Sequence, residues 1–271
     1  MIINHNLNAM NSHRNLTFNN VQQGKSSEKL SSGYRVNRAA DDAAGLSISE
    51  KMRAQIKSMN QGMRNAQDGV SLVQTAEGAM NEVSDMLTRM KELATQASSS
   101  TYNGSDLVAM NDEYGELIKA IDDIAKNADF NGIKLLNGSA GATFNIQLGG
   151  TANEKVEIDM TAAKIDNLTT TLGGLDTQAN AVTELAALDT AIGTVNAARS
   201  TLGAFQNRLE HMYNNVGTTA ENLQAAESRI RDTDMAKEMM NYTKFNILQQ
   251  ASTAMLAQAN QAPQGVLQLL R

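Results

Sequence analysis

Apolar residues in this 271-residue chain return every three or four positions over stretches longer than an ordinary globular helix, and that spacing constrains the fold more than any other feature. Alternating steps of three and four keep one stripe of a helix turned toward a partner helix, as in coiled-coil packing. From Ile48 the stripe runs through Met52, Ile56, Met59, Met63, Ala66, Val70, Val73, Met80, Val83, Leu87 and Met90, with one slip at Glu77 beside Ala76. At the helical rise such a helix reaches roughly 75 Å. Leu107, Met110, Tyr114, Leu117, Ile121, Ile124 and Ala128 mark a second core helix. Leu185, Leu188, Ile192, Val195, Ala198, Leu202, Phe205, Leu209, Met212, Val216, Leu223, Ala226 and Ile230 mark another, the natural partner of the first. Gly62, Gly69 and Gly78 each cost the first long helix about 1 kcal/mol relative to alanine, and close helix approach is expected to compensate.

Both ends also read as amphipathic helix, but with stripes too thin and too rich in amides to fold stably alone. From Asn6 to Ser32, Leu7, Met10, Phe18 and Val21 share a face that Arg14 and Lys25 interrupt. Toward the other end stand Met235, Met239, Tyr242, Phe245, Leu248, Met255 and Leu256, and Pro263, the only proline, sits where that helix should already have ended. This pattern points to assembly. The terminal assembly seam is expected at Leu7, Met10, Phe18, Val21, Met239, Tyr242, Leu248 and Met255.

Between these segments lie the breaks. Gly33 suits a helix end, Tyr34 to Leu46 reads as an irregular connector, and Ser47 with Glu50 has the spacing of a capping box opening the long helix. Ser98 to Gly104 is a polar break, and Asp232, Thr233 and Asp234 can cap a fresh helix start. Asn131-Gly132 and Asn137-Gly138 signal turns. Phe144, Ile146 and Leu148, then Val156, Ile158 and Met160, alternate with period two, which predicts a β-hairpin. Thr161 to Asn180 is weakly patterned and reads as a surface connection or truncated outer module.

Composition narrows the function. Aromatics make up 4% of the residues and Trp is absent, so thin helical seams fit better than a thick core. A net charge of -6 and a pI near 5.2 argue against nucleic acid, which needs a basic face. With no cysteine, disulfides, thiol nucleophiles and thiolate metal sites are excluded. MIINHNLNAM lacks the basic and long apolar regions of a secretory signal, and no run approaches the roughly 20 apolar residues of a membrane span. None of His5, His13 and His211 lies in an HExxH pattern, and no GxSxG elbow is present. Gly24-Lys25-Ser26 mimics the end of a phosphate loop, but Asn19 stands where an earlier glycine belongs, so an exposed helix face is the better reading. Asp41-Asp42 and Asp122-Asp123 read as solvated charges or caps, because neighbouring helical side chains point apart. Ser98 to Thr101 and Thr169 to Thr171 read as plain loops, and the Met stripe as core filling. No catalytic residue, cofactor or metal is assigned.

MIINHNLNAM, KLSSGYRVNRAADDAAGLSISEKM, DGVSLVQTAEGAMNEV and ESRIRDTDMAKEM with QASTAMLAQANQAPQGVLQLLR together resemble bacterial flagellin, over about the first 160 residues and from about Ala181 onward. The short middle lacks the outer domains of longer flagellins. The resemblance implies a mainly α fold: a long antiparallel coiled-coil-like bundle with a small β-hairpin near residues 143–160, its terminal helices pairing as an inner domain. Residues 1–32 and 235–271 form that inner domain, 33–46 and 231–234 the connectors, 47–160 and 181–230 the helical rod, and 161–180 a short variable connection. It further implies an extracellular filament subunit that leaves by the flagellar export route without a cleaved signal. The implied partners are further copies of the chain, an export chaperone and the export apparatus, hook-associated and filament cap proteins, and vertebrate flagellin receptors, with neither nucleic acid nor membrane insertion. Arg89, Leu93 and Glu113 fall where a Toll-like receptor reads this family, and Val266, Leu267, Leu269 and Leu270 where intracellular receptors do. A hook–filament junction protein, which shares such ends, and an enzyme or sugar-binding module on a helical stalk are the competing readings.

Overall fold

The structure, a computed structural model, describes residues 6–137, 143–161, 164, 165, 168 and 172–269, with side chains to residue 261. Its elements are α1 (Leu7–Ser32), α2 (Ala43–Ala97), α3 (Gly104–Asn127), β1 (Asp129–Phe130), β2 (Ile133–Lys134), β3 (Thr143–Gln147), β4 (Lys155–Asp159), α4 (Gln178–Arg231) and α5 (Met235–Leu269). Two compact units divide the chain. Residues Met1–Ala54 with Asn222–Arg271 make one, and Gln55–Glu221 the other.

In the central unit, the heptad stripe of α2 becomes a buried seam. Ala66, Val73, Ala76, Met80, Val83, Leu87, Met90, Ala94 and Ala97 are all buried, at steps of three, four or seven. The apparent slip at Glu77 disappears because Ala76 carries the seam, and the Glu77 carboxylate accepts from Arg199 at 3.0 Å. On α4 the matching seam is Ala181, Glu184, Leu188, Ala191, Val195, Ala198, Leu202 and Leu209. Met63 meets Gly217, Gly69 meets Leu209, Glu77 pairs with Arg199, and Lys91 pairs with Asp189. Partner numbers fall on α4 as they rise on α2, so the two helices run antiparallel. Helix α3 opens on a capping box, in which the Asn103 side chain accepts from Asp106 N–H at 3.0 Å while Asp106 accepts from Asn103 N–H at 3.2 Å. It contributes Met110, Tyr114, Ile121 and Ala125 to the same core.

The Asn131-Gly132 turn joins β1 and β2, both residues at positive φ, 52° and 78°, as a two-residue turn that follows the twist of its strands requires. β3 and β4 pair antiparallel from Thr143↔Asp159 to Gln147↔Lys155, turning Val156 and Ile158 inward. This hairpin, rather than a helix, explains Gly62, while at Gly69 the expected helix approach is shared with the hairpin. A Cβ on Gly62 would overlap the Leu148 backbone, and one on Gly69 would lie 3.2 Å from Ile146 and 3.3 Å from Leu209. The close approach at Gly62 therefore comes from the hairpin, not from a helix. At Gly78 nothing lies within 4 Å, so no close approach compensates there.

Four further expectations need correcting. Helix α2 begins at Ala43, before Ser47; the Asp42 carboxylate accepts from Gly45 N–H at 2.8 Å and so serves the helix start that the capping box was expected to serve. The segment read as a surface connection carries Ile165, Leu168, Leu172 and Leu175, three or four apart and buried in the core. Backbone and side-chain bonds hold this strap: Ile165 N–H to Leu136 O at 3.2 Å, Leu175 N–H to the Asn111 side chain at 2.7 Å, and Gly173 N–H to the Glu184 carboxylate. Ser26 is buried, although its stretch of α1 reads as an exposed face. Helix α5 runs on through Pro263 to Leu269, although proline forfeits one helical hydrogen bond. Asn137-Gly138, the second turn signal, and Thr169 to Thr171 fall wholly or partly outside the described residues.

Candidate assembly surface

Helices α1 and α5 lie against each other in antiparallel sense. The Asn6 side-chain amide donates to Ala259 O at 2.7 Å, and that of Asn19 to Ser252 Oγ at 3.1 Å. At the far end of the pair, Tyr34 bridges Asp232 and Thr233 N–H donates to Gly33 O at 3.0 Å. The side chains shielded along α1 are mostly small or amide-bearing, among them Ala9, Ser12, Asn19, Gln22, Gln23 and Ser26, with Leu16 as an apolar member. On α5 they include Asn241, Asn246, Gln249, Ser252 and Ala259 beside Tyr242, Phe245 and Leu256. The large apolar side chains mostly face out. Leu7 is 68% exposed, Met10 64%, Phe18 58% and Val21 52%. On α5, Met239, Met240, Ile247, Leu248 and Met255 repeat every seven or eight residues and are likewise exposed. Of the eight seam residues expected from sequence, Tyr242 alone is half-buried.

A polar junction closes the same unit. The Arg231 guanidinium lies 4.7 Å from the Tyr34 ring centroid and donates to the Glu50 carboxylate at 2.5 Å, while Arg35 N–H donates to Arg231 O at 2.6 Å. The Arg231 hydrogen bond, with Arg53 adding to it, holds the Glu50 carboxyl below its ordinary range. Asp41 is also held low, first by the Arg38 backbone N–H, because its carboxylate accepts from Arg38 N–H at 3.0 Å and from Asn37 N–H at 3.2 Å. Asp42 thus serves as a cap, Asp41 closes the turn before it, and Asp122 pairs with Lys126. Sequence patterning did not single out Asn6 or the Arg231–Glu50 pair, since isolated polar residues leave no periodic signal.

In the central unit, the structure brings Arg89 and Glu113 together: Arg89 Nε donates to Glu113 at 2.9 Å, and Nη1 to Glu92 at 3.0 Å. Leu93 is 2% exposed and packs in the core. The side chains of Val266, Leu267 and Leu269, and all of Leu270, lie outside the described residues. Tyr114 is buried with no hydrogen-bond partner for its hydroxyl among the described residues, and Glu184 Oε2 is in the same position. Burial, with the Glu184 charge adding to it, pushes the Tyr114 hydroxyl well above the ordinary phenol range. Among the described residues no three His, Asp or Glu side chains gather as a metal site, and no helix is long and apolar enough to cross a membrane.

Long antiparallel seams, with a terminal pair that leaves most of its large apolar side chains outside, define a helical subunit suited to being covered by other chains. Residues 3–141 match the family described as the bacterial flagellin N-terminal helical region, and residues 185–270 that of the bacterial flagellin C-terminal helical region. The chain belongs to the bacterial flagellin family, and it is a structural subunit of the flagellar filament. It is similar to a flagellin of Halalkalibacterium halodurans, 54% identical over 273 residues that cover 100% of both chains. A Bacillus subtilis flagellin is 45% identical over 310 residues, again covering 100% of each. The crystal structure of Bacillus cereus flagellin matches with a TM-score of 0.53 at 39% identity, over 60% of this chain and 94% of that one. The junction-protein and stalk-enzyme readings find no support in these likenesses.

Proposed function

We propose that the chain polymerises head to tail, with residues 1–32 and 235–271 forming the inner layer and the helical rod of 47–160 and 181–230 surrounding it. The exposed apolar faces of α1 and α5 carry this reading. Fully burying each such side chain contributes about 1.5–3 kcal/mol, which a single copy forgoes. Without that gain the terminal helices do not offset their chain entropy, so ordering and docking are one event. The contact is heterologous, because a two-fold patch would close a dimer whereas a head-to-tail contact propagates as an open helix. Connectors 33–46 and 231–234 meet at the Arg231 junction, and 161–180 is the short connection between the two parts of the rod's sequence.

The family resemblance extends this reading to partners and place. The subunit leaves through the flagellar export apparatus unfolded, an export chaperone holds the stripe from Met239 to Leu270, and the filament stands outside the cell between hook-associated and cap proteins. A Toll-like receptor reads the Arg89–Glu113 ion pair, with Leu93 packing beneath to hold α2 in place. Intracellular receptors read Val266, Leu267, Leu269 and Leu270.

The test is polymerisation of the purified chain in rising sulfate, which strengthens apolar burial, from short filament seeds. Long helical filaments are expected, and deletion of 1–32 or of 235–271 abolishes growth while the central unit stays folded. Normal filaments from either deletion would refute the proposal.

A further inference from the structure

Along the α1–α5 pair the shielded large apolar side chains are few and scattered, Leu16 and Leu30 on one helix and Tyr242, Phe245 and Leu256 on the other. The rest of the shielded faces is largely amides and small side chains, so apolar packing alone fixes poorly how far one helix slides along the other. In such a seam, individual polar contacts set the register, as a buried asparagine does in a coiled coil. One contact has an unusual origin. Pro263 lies inside α5 and carries no N–H, so the carbonyl four residues earlier, that of Ala259, lacks the donor a helix ordinarily supplies. Asn6 fills the vacant acceptor, its Nδ2 donating to Ala259 O at 2.7 Å. The same side chain accepts from Ala9 N–H at 3.0 Å through Oδ1, so it is fixed in place as the N-cap of α1 while it reaches across.

We propose that Asn6 and Pro263 form a matched register latch: the proline exposes one carbonyl on α5, and the capped start of α1 supplies the amide that occupies it. Asn6 is thus a positioning residue for filament growth. A shift of α1 by one turn moves the amide off Ala259 onto a carbonyl whose helical donor is already present, so only one register satisfies both helices. This deepens the assembly reading and rests on it.

The experiment measures the critical concentration for seeded growth of the full chain as wild type, Asn6→Ser, Pro263→Ala and the double variant. Serine keeps the capping oxygen but is too short to reach Ala259, so Asn6→Ser removes the latch and leaves the cap. A missing hydrogen bond with a carbonyl left unfilled corresponds to about a tenfold rise in critical concentration. In Pro263→Ala the new N–H fills the Ala259 carbonyl, so growth is retained and Asn6→Ser then shifts the critical concentration less than about twofold. A wild type that never polymerises would remove the assembly reading and the latch with it. Should the wild type grow while Asn6→Ser grows equally well, or equally poorly with and without Pro263, the latch alone is overturned. Loss of growth in Pro263→Ala by itself would overturn it too.

Discussion

Three glycines in α2 form a controlled series, because Gly62, Gly69 and Gly78 share one helix and one unit and differ in what surrounds them. Replacing each with alanine contributes the same helix-propensity gain, about 1 kcal/mol. At Gly78 nothing opposes it, so Gly78→Ala raises the unfolding free energy by about 0.5–1 kcal/mol. At Gly62 the added methyl overlaps the Leu148 carbonyl, which is backbone and cannot swing away. The hairpin must then lift from α2, where the Asn65 side chain also donates to Gln147 O at 2.8 Å. Overpacking of this kind costs about 1–3 kcal/mol, enough to cancel the propensity gain and reverse its sign. Gly69→Ala falls between, since it presses on the ends of Ile146 and Leu209 at 3.2 and 3.3 Å, which can rotate slightly. Urea unfolding of the three variants followed by far-ultraviolet circular dichroism gives the order directly. Equal effects of Gly62→Ala and Gly78→Ala would refute the hairpin as the reason for Gly62.

Other perturbations probe the remaining features. Tyr114→Phe removes a buried hydroxyl that has no partner among the described residues, with the Glu184 charge acting on it, and is expected to stabilise the central unit by about 1 kcal/mol in the same titration; a loss of that size would show that the hydroxyl is satisfied. Leu175→Ala empties a fully buried position in the strap and costs about 2–5 kcal/mol, whereas a surface connection would lose almost nothing. Acid should loosen the connector: the Glu50 pKa is lowered in the folded chain, so its contribution is present above the ordinary value of 4.5 and is lost as pH falls through the depressed one. Proteolysis of residues 33–46 should therefore accelerate as pH falls below 4.5, less so in Glu50→Gln, and a pH-independent rate would contradict the Arg231 junction.

The long helices were legible because their chemistry repeats. Ala66, Val73, Met80, Leu87 and Met90 announce their burial by spacing alone, and the strands of the hairpin by alternation. The strap was not legible: Ile165, Leu168, Leu172 and Leu175 stand among threonines and glycines, and nothing in so short a run distinguishes a buried strap from a loop. The start of α2 was misplaced because Asp42 and Ser47 both offer capping oxygens, and sequence alone does not rank them. At the ends, the apolar stripes of α1 and α5 were visible, but not that the two helices would meet through their amide-rich faces. That choice depends on contacts such as Asn6 with Ala259 and Asn19 with Ser252, each joining residues more than two hundred positions apart.

Amide hydrogen exchange on dilute, unpolymerised chain, repeated on filaments, addresses the central claim most directly. Amides of α1 and α5 should exchange at least about a hundredfold faster than those of α2 between Ala66 and Ala97 in the single chain, then become protected to a similar degree in the filament. Terminal helices already as slow as the α2 seam before any polymer forms would contradict it.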